Sequence, residues 1–333
     1  MCEQQYFIEY VLGMRGPSNK KADKGTICHK VLEILAIIKK SEQDGVESFE
    51  DDVIGTVYTK QYNLNTIIEK TYKYYTSKFT HHEWEIKDYK DCHNWVNKAI
   101  SYHDGAFDPR NKEILCPEQH FDLEIKKPWA KYTFDTPEGK LQGYLGLKGT
   151  IDLITKASDN TIEVIDWKTG RRLDWATGKE KTPEKLQTDP QLLIYHYAIS
   201  KLYPEYDSVM ITIYFINDGG PFSILFDKSD LQRTEQMLQK KFEIIKQTQK
   251  PRLNKTWMCN KLCHFGKSNF NGHNSILPVI EYRDNQTCQK DTFMTKCEQI
   301  KHDIEIKGMD IVVSEYKAEN HSFGKYKAPG SAE

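Results

Sequence analysis

The hydrophobic pattern near the N-terminus is helical. Within residues 26–40, Val31, Leu35 and Ile38 recur at the spacing that places them on one stripe of an amphipathic helix. Residues 3–12 show a shorter stripe of the same kind, and a loop rich in Gly, Pro and Lys separates the two segments. We therefore predict two N-terminal helices, of which the second is the longer.

Beyond residue 40 the pattern alternates between helix and strand signals. Runs of β-branched and aromatic residues predict five strands, at 117–125, 149–156, 162–168, 208–217 and 221–227, with a Gly-rich loop before the second. Helical spacing predicts an insertion at 53–104, after an acidic loop at 41–52. A charged loop at 171–188 precedes a predicted helix at 190–202, and a second helix at 229–250 follows the last two strands. This order predicts a mixed α/β core with a helical insertion.

The second and third predicted strands form a hairpin that brings two aspartates together. Ser158, Asp159 and Asn160 are turn formers, and a turn centred on Asp159 places Asp152 directly opposite Asp166. Opposed residues have β-carbons about 4.5 to 5.5 Å apart, where two like charges destabilise the sheet. We expect a positive charge between these carboxylates.

A divalent cation fits that position, because Mg²⁺ is commonly held by one or two carboxylates together with water and phosphate oxygens. Lys168 follows Asp166 by two residues and can stabilise negative charge on a phosphate. The combination predicts metal-assisted hydrolysis of a phosphodiester. The alternative is a hairpin whose charges simply face water, and the apolar residues Ile154 and Val164 on the same face argue against it.

Three further polar residues lie on predicted helices. His29 is near the start of the helix at 26–40, on a different face from its apolar stripe, with Glu33 one turn further along. Gln191 and Tyr195 are four residues apart and share a helix face. A lone histidine on a helix is usually structural or solvated, and ordinary packing accounts for Tyr195 when it is taken alone.

Composition adds few constraints. The chain has 47 basic and 48 acidic residues, a net charge of -1, so the overall charge gives no support for a nucleic-acid partner, and each local basic cluster alone is typical of a solvated face. No apolar run approaches 18 residues and the N-terminus does not resemble a signal peptide, so we expect a cytoplasmic protein without a membrane contact. Eight cysteines in such a chain predict reduced thiols or metal ligands rather than disulfides.

Taken in order, the segments "GTICHKVLE", "KGTIDLI", "EVIDWKTG" and "QLLIYHYA" resemble the motif series of the PD-(D/E)XK nucleases, in particular the RecB-like exonuclease branch that includes CRISPR adaptation nucleases and phage nucleases. The resemblance extends from Cys2 to about Tyr203, with 41–112 matching only as a helical insertion. It implies a restriction-endonuclease-like core, in which a mixed central sheet is flanked by helices.

The resemblance also implies roles for individual residues. His29, Asp152 and Asp166 would ligate a catalytic Mg²⁺ or Mn²⁺, with the backbone carbonyl of Trp167 as a further ligand, and Lys168 would be the catalytic lysine. The remaining implied residues would contact DNA or order the site: Gln191, Tyr195, Arg171 and Arg172.

Members of this branch often carry an iron-sulfur cluster held by four cysteines, one of them before the His motif and three near the C-terminus. By that resemblance Cys2, Cys259 and Cys263 would be ligands of a 4Fe-4S cluster, and Cys297 or Cys288 would be the fourth, with Cys297 preferred because a helix is predicted to start there. The Cys-x-x-x-Cys spacing departs from the usual Cys-x-x-Cys pair, so a Zn²⁺ site or no metal remains an alternative. The other cysteines are interpreted as ordinary thiols.

The function implied is a metal-dependent deoxyribonuclease, an exonuclease acting on single strands or duplex ends in phage or bacterial recombination, replication or CRISPR-like adaptation. It would act in the cytoplasm of a bacterial or phage-infected cell, as a homo-oligomer or with recombination or replication proteins. One alternative is a catalytically silent nuclease fold that binds DNA or a partner, and another is an iron-sulfur redox carrier. The presence of Asp152, Asp166 and Lys168 argues against the silent fold. The redox carrier would need an exposed cluster and would leave these three residues without a purpose.

The expected domain organisation has four parts. They are an N-terminal region with the first cysteine and the His-motif helix at 1–40, a helical insertion at 41–112, the nuclease core at 113–250 and a cysteine-rich cluster-binding region at 251–333.

Overall fold

A computed structural model describes residues 2–14, 18–136, 139–173, 178–248, 250–261, 263–266, 280–282 and 292–319. The chain forms two compact units. The smaller unit combines both chain ends, residues 1–17 and 245–333, and the larger unit comprises residues 18–244.

The described helices are α1 (Glu3–Tyr6), α2 (Lys20–Gln43), α3 (Leu64–Lys78), α4 (Ile86–Ser101), α5 (Pro183–Gln187), α6 (Pro190–Leu202), α7 (Asp230–Gln247), α8 (Trp257–Lys261), α9 (Lys296–Lys307) and α10 (Met309–Glu319). The described strands are β1 (Ser48–Asp51), β2 (Gly55–Tyr58), β3 (Ile114–Glu124), β4 (Lys131–Thr136), β5 (Gly139–Tyr144), β6 (Gly146–Lys156), β7 (Thr161–Lys168), β8 (Ser208–Phe215), β9 (Gly220–Asp227), β10 (Ile280–Tyr282) and β11 (Thr292–Met294).

The larger unit is built on a five-stranded sheet in the order β3-β6-β7-β8-β9. Strands β7 and β8 are parallel, and the other neighbours are antiparallel. A parallel pair needs a crossover connection, which here contains α5 and α6. One apolar layer joins α2, α3 and α4 to Trp167, and a second joins α6 to Val164 and Ile211. The predicted mixed α/β fold is therefore confirmed.

Helix α2 is longer than predicted. It begins at Lys20 rather than at residue 26, because the side chain of Asn19 accepts the backbone N–H of Ala22 at 2.9 Å and caps the first turn. The helix continues to Gln43 before the chain turns. The segment before residue 26, predicted as a Gly, Pro and Lys loop, therefore contributes six helical residues, between one and two turns.

Three loop or helix predictions were wrong in detail. Residues 48–58, assigned to an acidic loop and a helix, form the β1–β2 hairpin, whose turn is fixed by Asp51 accepting the N–H groups of Val53 and Ile54 at 2.9 and 3.1 Å. The Gly-rich region before β6 contains the β4–β5 hairpin. Helix α5 lies within the predicted charged loop, capped by Thr182.

The smaller unit has its own apolar core. Ile8 and Leu12 follow α1 and pack with Phe265, Ile300 of α9 and Val312 of α10. Residues from the two ends of the chain therefore build one hydrophobic cluster. No helix among the described residues combines the length and apolarity that a membrane span requires.

Candidate active site and cysteine cluster

The pairing of β6 with β7 has the predicted register. Leu153 pairs with Ile165 and Ile154 with Val164, so the next opposed positions along the strands are Asp152 and Asp166. This is the arrangement predicted from the turn residues alone.

Asp166 is the most buried of the predicted polar site residues, with its side chain 1% exposed. The Lys168 ammonium lies 2.9 and 2.7 Å from its two carboxylate oxygens, and the Gln191 amide donates to Oδ1 at 3.1 Å. The Tyr195 hydroxyl accepts from Gln191 at 2.8 Å and lies 3.3 Å from the same Oδ1 and 3.0 Å from the carbonyl oxygen of Thr150. Three predicted site residues therefore surround one carboxylate.

Burial and neighbouring charges determine the ionisation of Asp166 and Lys168. Burial raises the pKa of Asp166, the nearby Asp152 carboxylate adds to the shift and Lys168 opposes it. Burial also disfavours the ammonium form of Lys168, but the Asp166 carboxylate outweighs it, and the pKa of Lys168 is raised above its usual value. Lys168 is therefore a cation at neutral pH.

Helix α2 places His29 beside Asp152, with Nδ1 3.3 Å from Oδ2. The same oxygen accepts the backbone N–H of Trp167 at 2.9 Å. Burial lowers the pKa of His29, but the Asp152 carboxylate raises it more, and the imidazole in turn holds the pKa of Asp152 below its usual value. A β-carbon at Gly25 would lie 2.7 Å from the Thr169 hydroxyl, so glycine permits the close approach of α2 to the segment after β7.

The donor types fit a hard divalent cation. Carboxylates of Asp152 and Asp166 lie beside the His29 imidazole and the Trp167 backbone, and Asp166 Oδ2 is buried without a well-directed hydrogen bond. Among the described residues, one set of three potential ligand side chains has its ligand atoms all within 4.8 Å of one another. That set is Asp23, His81 and His82, and not His29, Asp152 and Asp166.

Two acidic residues next to this site, Glu33 and Glu118, are not among the predicted site residues. Glu33, one turn after His29, shares a hydrogen bond with Glu118, and burial together with that bond raises the pKa of Glu33 to about 8 against the opposing charge of Lys30. Continuation of the β3–β6 pairing places Glu118 opposite Asp152, and its φ of 46° is a left-handed conformation rarely adopted by this residue type.

A sequence signal for that irregularity exists. Pro117 is the first residue of the predicted strand but lies inside the observed strand β3, and proline within a strand indicates a sheet edge or a bulge. Glu33 was noted from the sequence only as a neighbour of His29. Neither residue carries a signal that would pair the two carboxyls.

The two predicted arginines differ in environment. The Arg172 guanidinium lies 4.3 Å from the centre of the Phe222 ring and pairs with Glu180 at 2.8 Å, while its backbone N–H donates to Asp218. Arg171 is exposed. Arg172 is therefore held by contacts within the protein, and Arg171 is the more available of the two.

Four of the predicted cluster cysteines come together in the smaller unit. Cys297 is buried, and burial raises its pKa to about 12, with further contributions from Cys263, Cys2 and Cys259. Backbone N–H groups of Cys263 and Cys297 donate to the carbonyl oxygens of Met258 and Phe265 at 2.9 and 3.0 Å, which fixes the two segments. Helix α9 begins at Lys296, beside Cys297, as predicted.

The remaining cysteines do not join this group. The alternative ligand Cys288 lies outside the described residues. Cys28 and Cys92 are buried between α2 and α4, where the Cys28 thiol donates to the Cys92 carbonyl oxygen at 3.6 Å. Cys116 lies on β3 with its pKa raised by burial.

The fold and this carboxylate-lysine arrangement define a nuclease of the restriction-endonuclease type. The chain belongs to the PD-(D/E)XK nuclease superfamily, whose family model matches residues 1–267. No individual curated protein matches the chain at a significant level. Membership of the superfamily indicates a nuclease and hydrolase with a metal-binding site.

Proposed function

We propose that the protein is a Mg²⁺- or Mn²⁺-dependent deoxyribonuclease, and that it acts as an exonuclease. The observation that supports this most directly is the buried Asp166 carboxylate, which faces Lys168, Gln191 and Tyr195 and lies opposite Asp152. A structural role alone does not explain two opposed carboxylates with a charged lysine in one sheet.

The ligands of the cation would be Asp152, Asp166, His29 and the carbonyl oxygen of Trp167. A bound divalent cation supplies Lewis-acid polarisation of the scissile phosphate and lowers the pKa of a bound water. The Trp167 N–H orients the Asp152 carboxylate through its 2.9 Å hydrogen bond. These ligands all come from β6, β7 and α2, which pack together in one buried apolar cluster.

Lys168 stabilises negative charge that develops on the phosphate, since the Asp166 carboxylate keeps it in the ammonium form. Gln191 and Tyr195 hold Asp166 in place from α6, because both contact its Oδ1. Tyr195 also ties β6 to this network through the Thr150 carbonyl oxygen. These two residues therefore position the carboxylate rather than react with the substrate.

DNA ends or single strands are the proposed substrate, and the motif series of the RecB-like branch supports the exonuclease assignment. The side chain of Arg171 is exposed close to Lys168 in the chain, and Lys240 and Lys241 are exposed on α7. Such cations contact phosphates and make affinity fall with salt. Recombination, replication or CRISPR-like adaptation in a phage or bacterium is the proposed context.

The cysteine group supports a separate proposal, a 4Fe-4S cluster held by Cys2, Cys259, Cys263 and Cys297. Cys263 packs against the apolar cluster that contains Cys297, and Cys263, Cys2 and Cys259 each contribute to the raised pKa of the Cys297 thiol. Thiols that share one neighbourhood can ligate one cluster, which supports this proposal. Its role would be structural, since the cysteines join segments from both chain ends.

The nuclease proposal is tested with end-labelled linear DNA incubated with Mg²⁺, with Mn²⁺ or with EDTA. Cleavage that needs the cation and is lost in Asp166→Asn is expected. Cleavage that persists in EDTA or in Asp166→Asn would contradict the assigned site.

The exonuclease assignment needs different substrates. Covalently closed circular duplex should survive conditions under which linear single strands or linear duplex are degraded to nucleotides or short oligonucleotides. Equal cleavage of the circle would show endonuclease action instead, while leaving the nuclease proposal intact.

A further inference from the structure

A second group of metal-ligand side chains lies in the larger unit and is distinct from the candidate active site. Asp23 is in the first turn of α2, and His81 and His82 are in the turn that follows α3. One carboxylate oxygen and two imidazole nitrogens all lie within 4.8 Å of one another. His82 is 59 residues from Asp23 along the chain, so folding alone brings the three together.

The polar atoms converge on a single oxygen, Oδ2 of Asp23. His82 Nε2 lies 2.7 Å from it, His81 Nε2 lies 3.5 Å from it, and the Ser18 hydroxyl donates to it at 2.7 Å. Ser18 Oγ is also 3.4 Å from His81 Nε2, which completes a four-membered polar group.

Hydrogen bonding accounts for only part of this arrangement. The Asp23 carboxylate is buried and requires partners, which Ser18 and His82 supply at hydrogen-bond length. His81 Nε2 at 3.5 Å is beyond a good hydrogen bond to the carboxylate, and its other polar neighbours are the carbonyl oxygen and the hydroxyl of Ser18, at 3.3 and 3.4 Å. The His81 imidazole is therefore held near the Asp23 carboxylate, although Ser18 and His82 already supply hydrogen bonds to that carboxylate.

Metal coordination explains the position of the His81 imidazole. A tetrahedral Zn²⁺ site with bonds of about 2.0 to 2.1 Å places its ligand atoms about 3.3 to 3.4 Å apart. The distance from His81 Nε2 to Asp23 Oδ2 is already close to that value, and His82 needs to move away by only about 0.6 Å from its 2.7 Å contact.

We propose that Asp23, His81 and His82 bind Zn²⁺ or a similar divalent transition-metal ion, with the Ser18 hydroxyl or a water as the fourth ligand. Imidazole nitrogens favour such ions over Mg²⁺, so this site differs in chemistry from the candidate active site. The nearby cations do not oppose binding strongly, because Lys20 pairs with Asp88 at 2.6 Å and Lys24 pairs with Asp91 at 2.7 Å.

The ion stabilises the attachment of the helical insertion to α2. Its ligands join the start of α2 to the turn between α3 and α4, and α2 carries His29 further along. Removal of the ion therefore lowers thermal stability first and affects cleavage only through the position of α2.

The test compares Zn²⁺ bound per chain after equilibrium dialysis of chelator-treated protein, measured by elemental analysis. Wild type should bind one more equivalent than His81→Ala and than His82→Ala. His93→Ala is the matched control, because His93 lies in the same insertion and bonds to Asn65 instead, and it should bind as wild type does. Asp166→Asn and Cys259→Ser should each retain the extra equivalent, which separates this site from the other two metal sites.

Two readouts keep the test decisive if a variant folds poorly. His81 is partly exposed, so His81→Ala should retain the wild-type circular dichroism spectrum while losing the Zn²⁺-dependent rise in Tm. Co²⁺ should give visible bands of tetrahedral nitrogen and oxygen coordination in wild type that are absent in His81→Ala. Equal Zn²⁺ stoichiometry in wild type and both histidine variants, or identical Co²⁺ spectra, would overturn the proposal.

Discussion

Asp152 and Asp166 occupy opposed positions on β6 and β7, and their pKa values shift in opposite directions. Burial raises the pKa of both, but the adjacent His29 imidazole reverses the shift at Asp152, whereas burial prevails at Asp166. The two carboxylates therefore differ in how readily each is ionised. A bound cation would favour the ionised form of both.

Replacement of Lys168 by alanine should abolish most cleavage. We expect kcat to fall by about 10²- to 10³-fold, the usual cost of removing one charge-stabilising donor, while DNA binding changes little. Lys148→Ala is the control, because Lys148 is an exposed lysine on the neighbouring strand β6 paired with Asp122. A Lys168→Ala enzyme that cleaves within a few-fold of wild type would contradict the role assigned to Lys168.

Replacement of Tyr195 by phenylalanine should have a smaller effect on activity. The hydroxyl contacts Asp166 and the Thr150 carbonyl oxygen, so its loss leaves a buried acceptor and should destabilise the protein by about 1 to 3 kcal/mol. Activity should fall by less than in Lys168→Ala. Tyr203→Phe is the control, since the Tyr203 hydroxyl makes only a 3.4 Å contact to Gln119. If Tyr195→Phe has the same free energy of unfolding as wild type, the hydrogen bonds assigned to the Tyr195 hydroxyl do not stabilise the protein.

The Glu33 and Glu118 pair should make stability depend on pH. Burial raises the pKa of Glu33 from 4.5 to about 8, so the folded protein holds a proton that the unfolded chain releases above pH 4.5. The unfolded state then binds fewer protons, and the free energy of unfolding decreases as pH rises from about 4.5 to about 8.

Glu33→Gln should remove this pH dependence, because the amide keeps a donor toward Glu118 and never ionises. Relative to wild type, the variant should gain up to a few kcal/mol at pH values above 8 and little at the acidic end. Unfolding by urea at several pH values measures the effect. Glu42→Gln, an exposed change on the same helix, should leave the wild-type profile unaltered.

Replacement of Cys259 by serine should remove the cluster proposed for the smaller unit. Anaerobically purified wild type should contain iron and sulfide and absorb broadly in the visible range, whereas Cys259→Ser should be colourless and less stable. Cys116→Ser should keep the colour, since Cys116 lies on β3 of the larger unit. Wild-type protein that contains no iron, but contains an equivalent of zinc that Cys259→Ser lacks, would favour the Zn²⁺ alternative.

Several features follow from local sequence. The turn formers at 158–160 and the alternating pattern of the two strands specify the register that opposes Asp152 and Asp166, because side chains alternate along a strand and a turn sets the pairing. Helix α6 has the predicted bounds because Pro190 and the Asp189 cap define its start.

Other local features were misread because short signals compete. The Asn19 cap extends α2 toward the N-terminus, and the Asp51 turn creates a hairpin within a stretch of helical composition. In both cases a hydrogen bond between one side chain and the backbone decides the local structure. A single capping or turn residue is a weaker signal in the sequence than the hydrophobic pattern around it.

The sequence by itself determined the mixed α/β order, the carboxylate hairpin and the series of motifs that place the chain among the PD-(D/E)XK nucleases. Only the tertiary structure decided which other distant groups meet: Glu33 with Glu118, and Asp23 with His81 and His82. The physical reason is that register and capping depend on neighbours in the chain, whereas these contacts depend on how whole helices and strands pack. Burial then raises the pKa of Glu33, and burial is a property of the folded chain alone.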